Sequence, residues 1–247
     1  MIKIKKNKIP NLNKPSFLCD SKINEKLDKI EIYKNMNKSH FACFIGLPGA
    51  GKSTMAISFL NSHQGFKKCF HNVILFCPCN SRASVRGDFW GENLEEENIY
   101  DELNLENLME VYDRTMMEAQ DNFKTLIIFD DVQQYLKGEC EKYLLHMVNN
   151  RRHAKLSLWF LCQNYKTIPL QVRTKITDLF LIGKINKNEL ENIFNEQIEM
   201  SKNKFDEVLK IVFRNPHDFI YINKQENKIF SNRDQIFILS KIYQIII

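Results

Sequence analysis

The sequence predicts an α/β fold in which a mainly parallel central sheet is covered by helices on both faces. Three observations carry that prediction. Apolar-dominated runs recur at Phe41–Ile45, Val73–Cys77, Thr125–Phe129, Leu156–Cys162 and Asp178–Gly183, the pattern of strands buried on both sides. Segments with apolar residues at helical spacing lie between them, so strand and helix alternate as a parallel sheet requires. The first run also breaks into a glycine-rich turn that leads straight into a helix-like stretch, Met55–Ser62.

The 247 residues suit one such domain with a short extension, and 44% hydrophobic with 26% charged residues is ordinary for a globular chain. The net charge of +5 is unevenly placed: residues 1–38 carry ten lysines against four acids, +6, which leaves −1 for the rest. We therefore separate a basic N-terminal arm, residues 1–38, from a domain over 39–247. Pro10 and Pro15 favour an extended start to the arm, and Ile23, Leu27 and Ile30 have the spacing of a short amphipathic helix.

After the first strand and helix, Val73–Cys77 is the second strand, followed by a polar, basic loop at residues 81–87. Residues 88–110 hold nine acids and no base, the pattern of a solvated face. Leu105, Leu108, Met109, Tyr112 and Met116 form a helical stripe before the third strand, and Cys140, Tyr143, Leu144, Met147 and Val148 form another before the fourth. Beyond the fifth strand, Leu190, Ile193 and Phe194, then Phe205, Val208, Leu209 and Val212, mark two more helices. His217–Asn223 and Lys228–Phe230 predict a small C-terminal hairpin, and Ile236–Ile247 a packing helix or strand.

Seven cysteines make an odd set without framework spacing, and Cys43, Cys77 and Cys162 fall in predicted buried strands, so a reducing intracellular compartment is expected. Cys69, His71, Cys77 and Cys79 do not suggest a metal site, because the intervening strand holds the two pairs apart. The basic N-terminus has no apolar stretch behind it as a signal peptide would, and Ile236–Ile247 is too short for a membrane span.

The glycine-rich turn is Gly46-Leu47-Pro48-Gly49-Ala50-Gly51-Lys52-Ser53-Thr54, which fits the phosphate-loop pattern G-x-x-x-x-G-K-[ST] at every fixed position. Gly46, Gly49 and Gly51 admit backbone angles closed to other residues, so successive N–H groups can turn inward on an anion. Lys52 would reach the β- and γ-phosphates and Ser53 would ligate Mg²⁺, with the positive end of the next helix behind them. Nucleoside triphosphate binding is expected.

The third strand ends in Phe129-Asp130-Asp131, an apolar run delivering two carboxylates to the ligand edge, as a Walker B strand does. Asp130 is placed for Mg²⁺ and Asp131 for the attacking water. The fourth strand ends in Gln163, an amide able to touch the γ-phosphate or its water. Arg151 and Arg152 precede that strand and Arg173 follows it; each could serve a neighbouring subunit's γ-phosphate, and a helix C-terminus also favours positive charge.

Taken together in this order, Gly46–Ser53, Phe129-Asp130-Asp131, Arg152-His153, Leu161-Cys162-Gln163 and Ile168-Pro169 to Arg173 resemble the genome-packaging ATPases of poxviruses, other large DNA viruses and virophages, within the FtsK/HerA group. The resemblance covers about Phe41–Phe194. It implies a P-loop NTPase fold of the additional-strand (ASCE) type, using ATP and Mg²⁺ to drive double-stranded DNA into a capsid. It further implies a homo-oligomeric ring, pentamer or hexamer, meeting a capsid or portal protein, in a viral factory of the host cytoplasm or in the virion. By that likeness Arg152 becomes the finger acting in trans and Gln163 the sensor. Two departures stand out: many relatives carry Glu where Asp131 stands, and nothing after Phe194 resembles a packaging nuclease. Candidate DNA contacts are the Arg82–Arg86 loop, Tyr165-Lys166 and the lysine-rich arm.

Other classes remain in view: a DNA-segregation or assembly switch, a small-molecule kinase, and a GTPase. The last rests on Asn203-Lys204-Phe205-Asp206, which matches N-K-x-D, but that motif should follow a buried strand and here opens a helical stripe.

Overall fold

A computed structural model describes residues 2–5, 36–37, 39–62, 65–83, 89–232 and 234–238. Its strands are β1 (Ile2–Lys5), β2 (Phe41–Ile45), β3 (Asn72–Phe76), β4 (Ile99–Tyr100), β5 (Thr125–Asp130), β6 (Leu156–Cys162), β7 (Asp178–Ile182), β8 (Phe219–Asn223), β9 (Lys228–Ser231) and β10 (Asp234–Ile238). They form one ten-stranded sheet in the order β4-β3-β5-β6-β2-β7-β8-β9-β10-β1. From β4 to β7 every pairing is parallel. From β7 to β1 every pairing is antiparallel. Strand β6 lies between β2 and β5, which is the additional strand that the ASCE type is named for.

Residues of β2 alternate between two cores as strand geometry dictates. Phe41, Cys43 and Ile45 face a core closed by α4 (Leu105–Gln120), α5 (Glu139–Asn150), α7 (Lys187–Gln197) and α8 (Lys202–Val212). Ala42 and Phe44 face the other, closed by α1 (Lys52–Asn61) and α3 (Phe89–Asn93). With both faces covered, β2 and β5–β8 are buried along their whole length, which is why they read as apolar runs rather than alternating ones. Side-chain caps set two helix starts: Asn104 accepts from the Asn107 N–H at 2.9 Å, and Asn186 from the Asn188 N–H at 3.0 Å.

An aromatic ladder ties the C-terminal hairpin to the central strand. Phe44, Phe180, Tyr221 and Phe230 occupy paired positions on β2, β7, β8 and β9. Their rings stack in sequence with centroids 4.6, 4.6 and 5.2 Å apart.

The expected strands and the major helices stand within a few residues of their predicted bounds. The helix after the glycine-rich turn starts at Lys52 rather than Met55. The fifth strand stops at Ile182, because Gly183 turns to φ +61. Two strands were not foreseen. The two-residue β4, within the acidic stretch, is too short to show a period. Ile2–Lys5, expected as part of an extended arm, pairs with β10 at the sheet edge. The predicted arm helix around Ile23–Ile30 and most of Ile236–Ile247 lie outside the described residues, although Ile236 itself falls in β10. Among the described residues no helix is long and apolar enough to cross a membrane.

Removing an inner ring of the ladder should be costly, since Phe180 is fully buried between two others. Phe180→Ala is expected to lower unfolding stability by about 3–5 kcal/mol in denaturant titration; a loss under about 1 kcal/mol would show that the hairpin is not packed as described.

Candidate functional site

The turn between β2 and α1 sits at the carboxyl ends of the parallel strands, where ligands bind in open α/β sheets. Gly49 and Gly51 adopt φ +74 and +101, the left-handed region that favours glycine. Gly46 is needed for a different reason than expected. Its φ is unexceptional, but a Cβ there would stand 2.7 Å from the Ile182 carbonyl oxygen and 3.0 Å from the Ala50 Cβ. Leu47, Pro48 and Gly49 are exposed, Ala50 is buried against Gly46, and Gly51, Lys52, Ser53 and Thr54 are half-buried at the start of α1. The Lys52 Nζ donates to the carbonyls of Gly46 at 2.9 Å and Leu47 at 3.2 Å, placing the ammonium across the loop. Burial lowers its pKa, while Asp130 most strongly opposes that shift.

Strand β5 ends on Asp130, whose Oδ2 accepts from the Ser53 Oγ at 2.7 Å. Desolvation raises the Asp130 pKa to about 6, against the pull of the Ser53 hydroxyl and the Lys52 ammonium. Asp131 follows at φ +57, a left-handed position that Asp tolerates better than most residues. Its Oδ1 accepts from the Gln163 Nε2 at 3.3 Å and its Oδ2 from the Ser81 Oγ at 2.5 Å. The fold therefore gathers Lys52, Ser53, Asp130, Asp131 and Gln163 from three segments into one cleft.

Sequence reading missed two residues of that cleft. Ser81 lies on the short helix α2 (Cys79–Ala83), at the start of the polar, basic loop 81–87 and just before the candidate DNA contacts at Arg82–Arg86. Gln133 accepts through its Oε1 from the Gln163 N–H at 3.0 Å, pinning the end of β6. Only three-dimensional pairing identifies them, although Gln133 does stand two residues beyond the carboxylate pair.

The arginines separate clearly. Arg151 donates from Nε to the Ser39 carbonyl at 3.1 Å and from Nη1 to the Val148 carbonyl at 2.7 Å, so it braces its own subunit. Arg173 is buried, paired with both carboxylate oxygens of Glu196 at 2.6 and 2.8 Å, with its guanidinium 5.2 Å from the centre of the Tyr165 ring. Arg152 is exposed on the turn before β6. It stands at the amino end of that seven-residue strand, about 20 Å from the phosphate loop at roughly 3.3 Å per residue.

Other expected contacts shift. Tyr165 is fully buried, so only Lys166 of that pair is exposed. Arg82 pairs with Asp101 at 3.2 Å, and residues 84–88 lie outside the described ones. The N-K-x-D match opens α8 with Phe205 in the core, as helical spacing and not a base-reading loop would place it.

Sheet order, phosphate loop and Walker B pair define a P-loop NTPase fold with an additional strand. The chain belongs to the Poxvirus A32 protein family, whose profile matches residues 29–243. It is 26% identical over 185 residues to the DNA packaging protein OPG160 of Variola virus, an alignment covering 72% of this chain and 65% of that protein. With the Vaccinia virus (strain Copenhagen) protein of the same name it shares 27% over 179 residues, 69% of this chain and 63% of that one. The chain thus spans just under two thirds of the length of these relatives. Among solved structures, B204, the DNA-packaging ATPase from Sulfolobus Turreted Icosahedral Virus, superposes with a TM-score of 0.60 at 16% identity, over 79% of this chain and 98% of B204. B204 from Sulfolobus turreted icosahedral virus 2, in complex with ATP-gammaS, gives 0.59 at 17%, over 79% and 98%.

The raised Asp130 pKa has a stability consequence. Below the unfolded value near 3.8 the acid is neutral in both states; as pH rises through about 6, the folded protein must ionise a desolvated carboxylate and loses stability. Asp130→Asn should therefore stabilise the nucleotide-free protein above pH 6, by up to about 3 kcal/mol, and not at pH 4. Asp178, also raised to about 6 by burial, titrates equally in both proteins and cancels. Melting curves of both proteins across this range check it; no gain at pH 8 would refute the desolvation argument.

Proposed function

We propose that this chain is an ATP-hydrolysing motor subunit that packages double-stranded DNA. The observation that carries the reading is the 2.7 Å bond from Ser53 to Asp130, which sets a phosphate-loop hydroxyl beside a buried carboxylate. Two hard oxygen donors at that spacing suit Mg²⁺: Ser53 and Asp130 would hold the ion, and it would supply charge neutralisation at the phosphates. The loop N–H groups and Lys52 bind and orient the triphosphate. Asp131 orients the attacking water and takes its proton, while Gln163, bonded to the same carboxylate, fixes that group and touches the γ-phosphate. Arg152 is too far from its own site to act there. Its role is in trans, on the nucleotide of the next subunit in a homo-oligomeric ring, pentamer or hexamer.

The DNA-packaging names of the relatives support the substrate. Contacts to duplex phosphates through Lys and Arg would be sequence-independent, as a packaging motor needs. A capsid or portal protein is the partner we assign, and the host-cell viral factory or the virion the place of action.

Hydrolysis measured with and without duplex DNA, alongside assembly state, tests this directly. DNA-stimulated turnover by a ring is expected. A monomer turning over at full rate, indifferent to duplex, would instead favour a switch that does not translocate. Lys52→Ala should lose nucleotide binding, whereas Asp131→Asn should bind ATP normally with kcat down about a hundredfold or more; unchanged turnover in the latter would reassign the base.

Arg152→Ala should cut turnover by about a thousandfold alone and regain activity when mixed with Lys52→Ala subunits. Absence of complementation at any mixing ratio would remove Arg152 from the trans role.

A further inference from the structure

The segment between α8 and β8, Arg214-Asn215-Pro216-His217-Asp218, is built against the phosphate loop. The Gly183 N–H donates to the Asp218 carbonyl at 2.8 Å, and a Cβ on Gly183 would stand 2.7 Å from the Pro216 oxygen and 3.5 Å from the Ala50 Cβ. The Asp218 carboxylate holds the segment's shape. One oxygen accepts from the backbone N–H groups of Arg214 (3.0 Å) and Asn215 (2.7 Å) and from the Asn215 Nδ2 (3.0 Å), and the other from the Asn232 Nδ2 (3.1 Å). So anchored, the segment presents His217, an exposed ring whose Nδ1–H donates to the Ala50 carbonyl at 3.2 Å. The same Nδ1 lies 3.6 Å from where a Cβ on Gly51 would be. With Nδ1 donating, Nε2 of the neutral ring is an acceptor for a hydroxyl, and of the protonated ring a donor to a phosphate.

Strand order fixes which part of a nucleotide His217 could meet. Asp131 and Gln163 stand at the ends of β5 and β6, whereas β7 and β8 lie on the opposite side of β2. A triphosphate with its γ end toward Asp131 and Gln163 therefore leads its α-phosphate and ribose toward His217.

We propose that His217 is a nucleotide-binding residue contacting the ribose of the ligand, so that the hairpin edge of the sheet completes the site. This rests on the nucleotide-binding reading above.

Calorimetric titration of the full chain with ATP and with inorganic tripolyphosphate, both with Mg²⁺, tests it. His217→Ala should weaken ATP binding about tenfold, leave tripolyphosphate binding within about twofold, and leave the ligand-free melting temperature unchanged. His217→Gln, which keeps a hydrogen-bonding amide, should recover most of the lost affinity. Undiminished ATP affinity in His217→Ala, equal losses for both ligands, or a lower ligand-free melting temperature would overturn the assignment. Wild-type protein that binds neither ligand would overturn the nucleotide reading itself, which separates the two failures.

Discussion

The site depends on a carboxylate kept dry. Asp130 ends a strand buried on both faces, and desolvation raises its pKa to about 6. The Ser53 hydroxyl and the Lys52 ammonium are the groups that offset this, and both open α1 directly after the glycine-rich turn. That turn leaves β2, two strands away from β5 across β6. At roughly 4.8 Å per strand spacing, the bridge from Ser53 to Asp130 spans about 10 Å of sheet. The loop must therefore lean toward β5, and close packing of Gly46 and Ala50 against the end of β7 is the footing from which it does so.

Much of this was legible in the sequence for one physical reason. Strands buried on both faces carry few polar positions (Ser157 inside β6 is one), and the first polar residues after Ile45, Phe129 and Cys162 are the candidate site itself. The same reasoning could not reach Ser81, Gln133 or His217, whose place follows from pairings across 50, 30 and 167 residues of chain. It also misjudged Gly46, because close approach to Ile182 leaves no local signature distinct from a need for positive φ. At the sheet edge, four residues of β1 gave too short a pattern, and lysines at positions 3 and 5 read as solvated charge.

Three arginines that spacing left open are distinguished by what their side chains touch. A guanidinium that donates to two backbone carbonyls, as Arg151 does, or forms a bidentate pair with a carboxylate, as Arg173 does, has its fork committed inside the subunit. Releasing either would leave partners unsatisfied, at a cost of a few kcal/mol that a transient contact with a neighbour would have to offset. The Arg152 guanidinium makes no such bond among the described residues and stands exposed at the amino edge of the sheet. The sheet thus puts Asp130 and Asp131 at one end of its strands and Arg152 at the other.

Asp in place of the longer Glu at position 131 follows from the same geometry. The backbone there turns left-handed, a conformation Asp enters more readily than Glu, and both carboxylate oxygens are already held, one by Gln163 and one by Ser81. A shorter side chain fixed at two points loses reach but little orientation. The Ser81 bond also gives the site a bonded route outward: α2 carries Arg82 on the next residue, and Arg82 pairs with Asp101 beyond the acidic 3₁₀ turn. Whatever moves Asp131 must strain or break the Ser81 bond, so the segment after β3 is tied directly to the end of β5.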